Sequence, residues 1–270
     1  MNKNFFSNYD FQSNETFVSK VDQAGFSYPE TKKVSKEMSS VDTFMHNRFG
    51  CGVGLSTPEF VAGNLCASEA ELTMGGNLLL GSNLETVAPV ILKDGKGLNL
   101  NLNGKKVVAG TFAESNGEVT EGTSDSYAFW VKEGGMLSLE GDGEVVAQDA
   151  DYSMAVWAQG GTVEIKGGKF YNGGDGCDLI YTSAGGKVYI YGGEFHATER
   201  SGEVAGTQNK YSALNIKDAD RATSKIVVYG GKFYGFNPAD NVSETEHTNF
   251  VADGYVSVEV EPGVFEVKKA

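Results

Sequence analysis

The sequence is short of the residues that carry most catalytic and metal chemistry. It has three histidines, three cysteines, two tryptophans and five prolines in 270 residues. Cys51, Cys66 and Cys177 cannot all pair with one another, and their spacing matches no zinc pattern. They read as small residues of a reduced chain. His46, His196 and His247 stand too far apart in sequence to suggest a shared site. Basic residues are outnumbered 22 to 36, and a formal charge of −14 makes the electrostatic term repulsive toward nucleic acid or an anionic membrane. No apolar run approaches membrane-spanning length. The stretch Met1-Asn-Lys-Asn-Phe-Phe-Ser-Asn lacks an apolar segment after its lysine, so no secretory signal is expected, and synthesis in a cytoplasm is. No nucleophile elbow, phosphate loop or metalloprotease helix motif occurs.

Glycine is what the chain has in quantity, 36 residues, and much of it is periodic. Gly134-Gly-Met-Leu-Ser-Leu-Glu-Gly, Gly160-Gly-Thr-Val-Glu-Ile-Lys-Gly-Gly-Lys-Phe, Gly185-Gly-Lys-Val-Tyr-Ile-Tyr-Gly-Gly-Glu-Phe and Ser224-Lys-Ile-Val-Val-Tyr-Gly-Gly-Lys-Phe are four copies of one unit. The glycines after the strands are Gly141, Gly167, Gly192 and Gly230, separated by 26 (167−141), 25 (192−167) and 38 (230−192) residues. The longer interval carries a polar insert, Thr198–Asn209, that reads as a surface loop. Weaker copies begin at Gly97 and Gly75. A repeat of this length marks units stacked on their own copies. Within a copy, apolar and polar residues alternate with the period of a strand.

Alignment of the copies predicts three strand ladders. Leu137/Leu139, Val163/Ile165, Val188/Ile190 and Ile226/Val228 face inward in the first. Phe170, Phe195 and Phe233 stack inward in the second, with Tyr171, His196 and Tyr234 as outward neighbours. Phe129, Val156, Ile180 and Leu214 are the inward set of the third, which leaves Trp130, Trp157 and Tyr181 as an outward column. An exposed aromatic stripe suits a subunit interface or a sugar-stacking platform, and the interface is the favoured reading.

Residues 1–60 lack the repeat. Their scattered aromatics (Phe5, Phe6, Tyr9, Phe11, Phe17, Phe26, Tyr28) suit an arm that docks elsewhere or a strap on the chain's own strands. Val34, Met38, Val41 and Met45 form a short heptad seam, as an oligomer axis or an amphipathic helix would. The paired carboxylates, Asp149 with Asp151, Asp175 with Asp178 and Asp218 with Asp220, each read as turn residues in a corner before a third-ladder strand. No lysine or arginine accompanies Asp149 or Asp175, whereas Arg221 follows Asp220. No catalytic residue, cofactor or metal is expected.

The block from Leu98-Asn-Leu-Asn-Leu-Asn through the Gly-Gly-Lys-Phe-Tyr copies resembles the right-handed parallel β-helix fibre and tail proteins of tailed bacteriophages. Gly230-Gly-Lys-Phe-Tyr-Gly-Phe-Asn-Pro-Ala-Asp-Asn, Asn249-Phe-Val-Ala-Asp-Gly-Tyr and Gly263-Val-Phe-Glu-Val resemble their closing coil and terminal strands. Among such proteins, the chain is most similar to the head fibres of crAss-like gut phages. The resemblance implies a homotrimer held by its N-terminus on a capsid or tail protein of the virion, with no catalytic residues. The expected fold is all-β, a right-handed parallel β-helix (β-solenoid) with an N-terminal extended or short-helical attachment arm. Residues 1–60 are assigned to the arm, 61–250 to the β-helix and 251–270 to C-terminal capping strands. The expected function is a non-enzymatic virion fibre for adhesion, with a host surface glycan as a further partner. A tailspike-like polysaccharide depolymerase and a bacterial cell-surface adhesin are the alternatives.

Overall fold

The computed structural model describes residues 64–173, 178–196, 213–243 and 246–270. All belong to the second of the two units into which the chain divides, Val53–Ala270. The expectations for residues 1–60, for the insert Thr198–Asn209, and for His46, Cys51, Asp175 and Cys177 fall outside the described residues.

The described residues are all-β apart from two short helical pieces, α1 (Glu69–Met74) and a 3-10 turn at Asp218–Asp220. Three large sheets form, and the chain visits them in rotation, so that each glycine-rich copy adds one strand to each sheet. The first sheet holds β1 (Asn64–Cys66), β2 (Gly76–Leu80), β5 (Gly97–Asn101), β9 (Met136–Glu140), β12 (Thr162–Ile165), β15 (Lys187–Ile190) and β18 (Lys225–Val228), every neighbouring pair parallel. Leu100, Leu139, Ile165, Ile190 and Val228 are successive partners, and all are buried as the alternation predicts. Strand β1 lies before the first copy legible in the sequence.

The second sheet runs through β3 (Leu84–Glu85), β6 (Lys105–Val108), β10 (Gly143–Val146), β13 (Lys169–Tyr171), β16 (Glu194–His196) and β19 (Gly231–Tyr234), again in parallel. An antiparallel hairpin of β22 (Tyr255–Glu261) and β23 (Val264–Lys269) then continues it through β19. Phe170, Phe195 and Phe233 form the expected inner column, with ring centroids 5.0 and 4.9 Å apart and planes within 9° of parallel. That spacing is the separation of neighbouring strands, so each ring sits flat on the next without leaving its rotamer well. Burying each ring contributes about 1.5–3 kcal/mol relative to exposure.

The outer side of this sheet alternates in charge from strand to strand. Lys106, Glu144, Lys169, Glu194, Lys232 and Glu266 are successive partners, with ion pairs of 2.6 Å (Lys106–Glu144) and 3.4 Å (Lys169–Glu194). A register slip would set a charge against a tyrosine or valine, so the ladder favours one stacking order. Beside it, His196 lies between Tyr171 at 4.6 Å and Tyr234 at 4.2 Å, the stack the sequence predicts.

The glycine pairs divide two tasks. In Gly185-Gly186 the first glycine takes φ +82°, while a Cβ on the second would fall 2.0 Å from the Ala158 carbonyl oxygen of the preceding copy. In Gly192-Gly193 the order reverses: a Cβ on Gly192 would lie 2.9 Å from the Lys166 carbonyl oxygen, and Gly193 takes φ +106°. One residue of each pair permits the bend and the other permits backbones to touch across copies.

Candidate functional site

The third sheet comprises β4 (Val90–Leu92), β8 (Glu118–Lys132), β11 (Tyr152–Gln159), β14 (Asp178–Ser183) and β17 (Leu214–Ile216), all parallel. Phe129, Val156, Ile180 and Leu214 face the core as expected. So do Ala128, Ala155, Leu179 and Ala213 immediately before them. Two inward residues in succession shift the alternation by one. The outer face therefore carries two neighbouring columns, Tyr127–Met154–Asp178 and Trp130–Trp157–Tyr181–Asn215.

A hairpin absent from the sequence-based expectations covers part of this face. Strand β7 (Phe112–Ser115) pairs antiparallel with the start of β8. The turn between them is Asn116-Gly117, both at positive φ (54° and 81°), the conformation that two-residue hairpin turns require. Phe112, Tyr127, Trp130 and Met154 make an apolar cluster separate from the core, against which Trp157 and Tyr181 pack. The tryptophan column thus lies on the outer face as expected, but it is not an open stripe. Trp130 is 0% exposed, and Trp157 and Tyr181 are half-buried.

Two polar devices hold the hairpin down. The buried Asp125 carboxylate accepts hydrogen bonds from the Glu114 amide (3.0 Å), the Ser124 hydroxyl (2.6 Å) and the Tyr127 phenol. Burial, reinforced by that carboxylate, raises the Tyr127 phenol above its ordinary value, so it stays protonated as the donor. Lys132 donates from Nζ to the Gly117 carbonyl, with Nζ 3.9 Å from the Trp130 ring centroid. Burial lowers this ammonium from its ordinary value.

Beyond the hairpin the same face opens into a groove of about 1050 Å³. Trp157 and Tyr181 lie along it, with Tyr152, Asp151, Asp220 and Lys217 among the groups around them. Trp130 and Trp157 stack face to face at 4.8 Å and 8°, whereas Trp157 and Tyr181 are 5.8 Å apart and tilted by 47°, which leaves a gap between those two rings. The indole N–H of Trp157 donates to Ser183 Oγ at 2.9 Å and that of Trp130 to Gln159 Oε1 at 3.1 Å, so neither ring can rotate freely. Among the described residues, Glu114, Asp125, Asp151, Asp178 and Asp220 line the groove against one ammonium, Lys217, and the field of these groups is negative.

The carboxylates singled out in the sequence divide. Asp149 and Asp151 do precede β11, and Asp149 lines an adjoining polar recess of about 560 Å³ that shares Asp151 and Ser124 with the groove. Asp178 is not a corner residue: it is the first residue of β14, and its Oδ2 accepts from Asn215 Nδ2 at 3.1 Å. Asp218 and Asp220 follow a third-sheet strand, β17, rather than precede one. Asp220 Oδ2 accepts from the Ala184 amide at 2.7 Å, where Ala184 has φ +50°. Asp218 instead meets Arg221 Nε at 2.9 Å. Three of the expected corner carboxylates, Asp151, Asp178 and Asp220, thereby reach one groove from three different copies. His196 belongs to the second sheet, and His247, on a short strand (Glu246–Thr248) paired antiparallel with Asn241–Ser243, meets Asp240 at 2.8 Å. Among the described residues, no group of three or more His, Cys, Asp or Glu side chains is gathered as a metal centre would need.

The end of the third sheet is closed by side chains. Asn241 of β20 (Asn241–Ser243) donates to the Leu214 carbonyl at 2.7 Å and accepts from the Leu214 amide at 3.4 Å. Ser243 Oγ accepts from the Ile216 amide at 3.0 Å. These groups stand where the backbone of a further strand would.

No protein-family profile, no curated protein and no solved structure matches this chain.

Proposed function

We propose that this chain is a right-handed parallel β-helix that acts as a non-enzymatic display and adhesion protein of the tailed-phage fibre kind. In this reading it is a homotrimer attached through residues 1–60 to a capsid or tail protein of a virion, and residues 61–270 are presented outward. The observation that carries the adhesion role is the groove on the outer face of the third sheet. Aromatic rings and carboxylates from three successive copies converge there, on a sheet whose inner side already supplies a continuous core. Nothing about stacking strands requires a tryptophan column outside as well as an apolar column inside. The recurring visit to three sheets in one order favours a helical coil, and the near-universal hand of parallel crossovers favours a right-handed one. The fibre assignment itself rests on the resemblance of the glycine-rich copies and the C-terminal stretch.

Light scattering on the full chain tests the assembly. A trimer has a mass near 86 kDa (3 × 28.8), and a species of 28.8 kDa overturns the fibre reading. Deleting residues 1–30 is expected to leave the sheets folded and abolish attachment to the particle. A depolymerase is the second reading, favoured by Asp151, Asp178 and Asp220 in one groove. It predicts new reducing ends when capsular polysaccharide is incubated with the protein; the adhesion reading predicts none.

A further inference from the structure

We infer that the groove on the third sheet takes a neutral glycan, bound along the sheet across β11 and β14. This deepens the adhesion reading and rests on it. Four observations carry it.

The first is charge. Among the described residues five carboxylates line the groove against one ammonium, with Asp125 and Asp178 buried at its floor, so an anionic polymer such as a uronic-acid or sialic-acid chain would be repelled. The second is the kind of polar group presented. Asp151 is exposed at the rim, and Asp220 and Lys217 stand at the far end. Short carboxylates beside an ammonium and side-chain amides offer acceptors and donors at strand spacing, which matches a chain of vicinal hydroxyls.

The third is the apolar surface. Tyr152 is 57% exposed at the groove, and the 47° tilt between Trp157 and Tyr181 leaves ring surface that Trp130 lacks, because its faces meet Trp157 and Lys132. Sugar C–H faces pack on such rings without needing a charge. The fourth discriminates against an extended peptide. Recognition of a peptide by strand addition needs an open sheet edge. Strands β11 and β14 are internal, each with a parallel neighbour on both sides, and the β17 end is capped by Asn241 and Ser243. A ligand here meets the face of the sheet rather than an open edge, which suits a sugar better than a peptide backbone.

The two tryptophans of the chain, Trp130 and Trp157, both lie in this column, so intrinsic fluorescence reads the groove directly. Full-length protein is titrated with neutral oligomers of glucose, mannose, galactose and N-acetylglucosamine, and in parallel with hyaluronan oligomers and oligolysine. Saturable fluorescence change with at least one neutral oligomer, and none with hyaluronan, is expected. Tyr152→Ala removes an exposed ring and leaves the fold unchanged, and is expected to weaken that binding about tenfold, as truncating a central aromatic contact does. Trp157→Phe keeps the apolar packing and loses the indole, and is expected to weaken it less. Binding of oligolysine or hyaluronan in place of the neutral oligomers overturns the inference. So does silence with the whole panel, or neutral-sugar binding that Tyr152→Ala leaves intact. A trimer by light scattering with no sugar binding would retain the fibre assembly and reject this ligand; a monomer that binds sugar would do the reverse.

Discussion

Phe170, Phe195 and Phe233 stack at 5.0 and 4.9 Å on the inner side of the second sheet, while Trp130 and Trp157 stack at 4.8 Å on the outer side of the third. One geometric rule, one ring per copy at strand spacing, builds both columns. The surroundings differ. The phenylalanines are wrapped by the core. The tryptophans are covered at one end by the β7–β8 hairpin and meet carboxylates, amides and an open groove at the other. Periodicity alone places a ring on a face; what else packs against that face decides whether it stabilises or binds.

The largest expected effect breaks the inner column. Phe195→Ala removes a fully buried ring with a neighbour above and below, and should cost about 3–5 kcal/mol in urea unfolding. Tyr181→Ala, half-buried at the open end of the outer column, should cost well under half as much. Equal losses would mean that the outer column is core in all but position.

Next comes the contact between copies. Gly186→Ala drives a Cβ into the Ala158 carbonyl and should destabilise by roughly 2 kcal/mol or more, since one strand must move from the other. Gly185→Ala meets no atom within 4 Å and costs only its left-handed φ, about 1 kcal/mol. A reversed order would contradict the division of labour within the pair.

Loosening the hairpin comes third. Asp125→Asn weakens a hub that accepts from Glu114, Ser124 and Tyr127, and should cost about 1.5–3 kcal/mol, confined largely to residues 112–127. Trp130 would lose its cover, so its emission should move to longer wavelength while Phe195 and its neighbours keep their hydrogen-exchange protection.

The smallest effect belongs to His196. Burial lowers its imidazole from the ordinary value, against Glu194, whose carboxylate 3.4 Å away raises it. The folded state then resists protonation more than the unfolded chain does. The stability tied to this group is complete above the unfolded imidazole value of about 6.5 and is lost as pH falls through the lower folded one. A fall in the urea midpoint between pH 7 and pH 5 should therefore be shallower in His196→Phe than in the parent chain.

Much of this was legible in the sequence. The inner columns of the first and second sheets follow from alternation because each copy there is uninterrupted between glycine pairs. The third ladder's inward set, Phe129, Val156, Ile180 and Leu214, was legible instead because it is apolar in all four copies; the second inward set beside it, Ala128, Ala155, Leu179 and Ala213, breaks the alternation and was not. The covering hairpin was not, although Asn116-Gly117 is a strong turn signal. Its strands carry few apolar residues, Phe112 and Val119 among them, and it interrupts the spacing upstream of Gly141, where the glycine count began. The groove was not legible either. Asp151, Asp178 and Asp220 belong to three copies and to three different places in their copies, and only parallel stacking brings them to one face.

Backbone amide and indole N–H shifts, recorded on the full chain during titration with a neutral oligosaccharide, compare the two outer faces in one measurement. The Trp157 indole N–H and the amides of β11 and β14 should move together, while Tyr171, His196 and Tyr234 on the second sheet stay still. Shifts centred on the second sheet, or none on either face, would contradict the assignment of binding to the third.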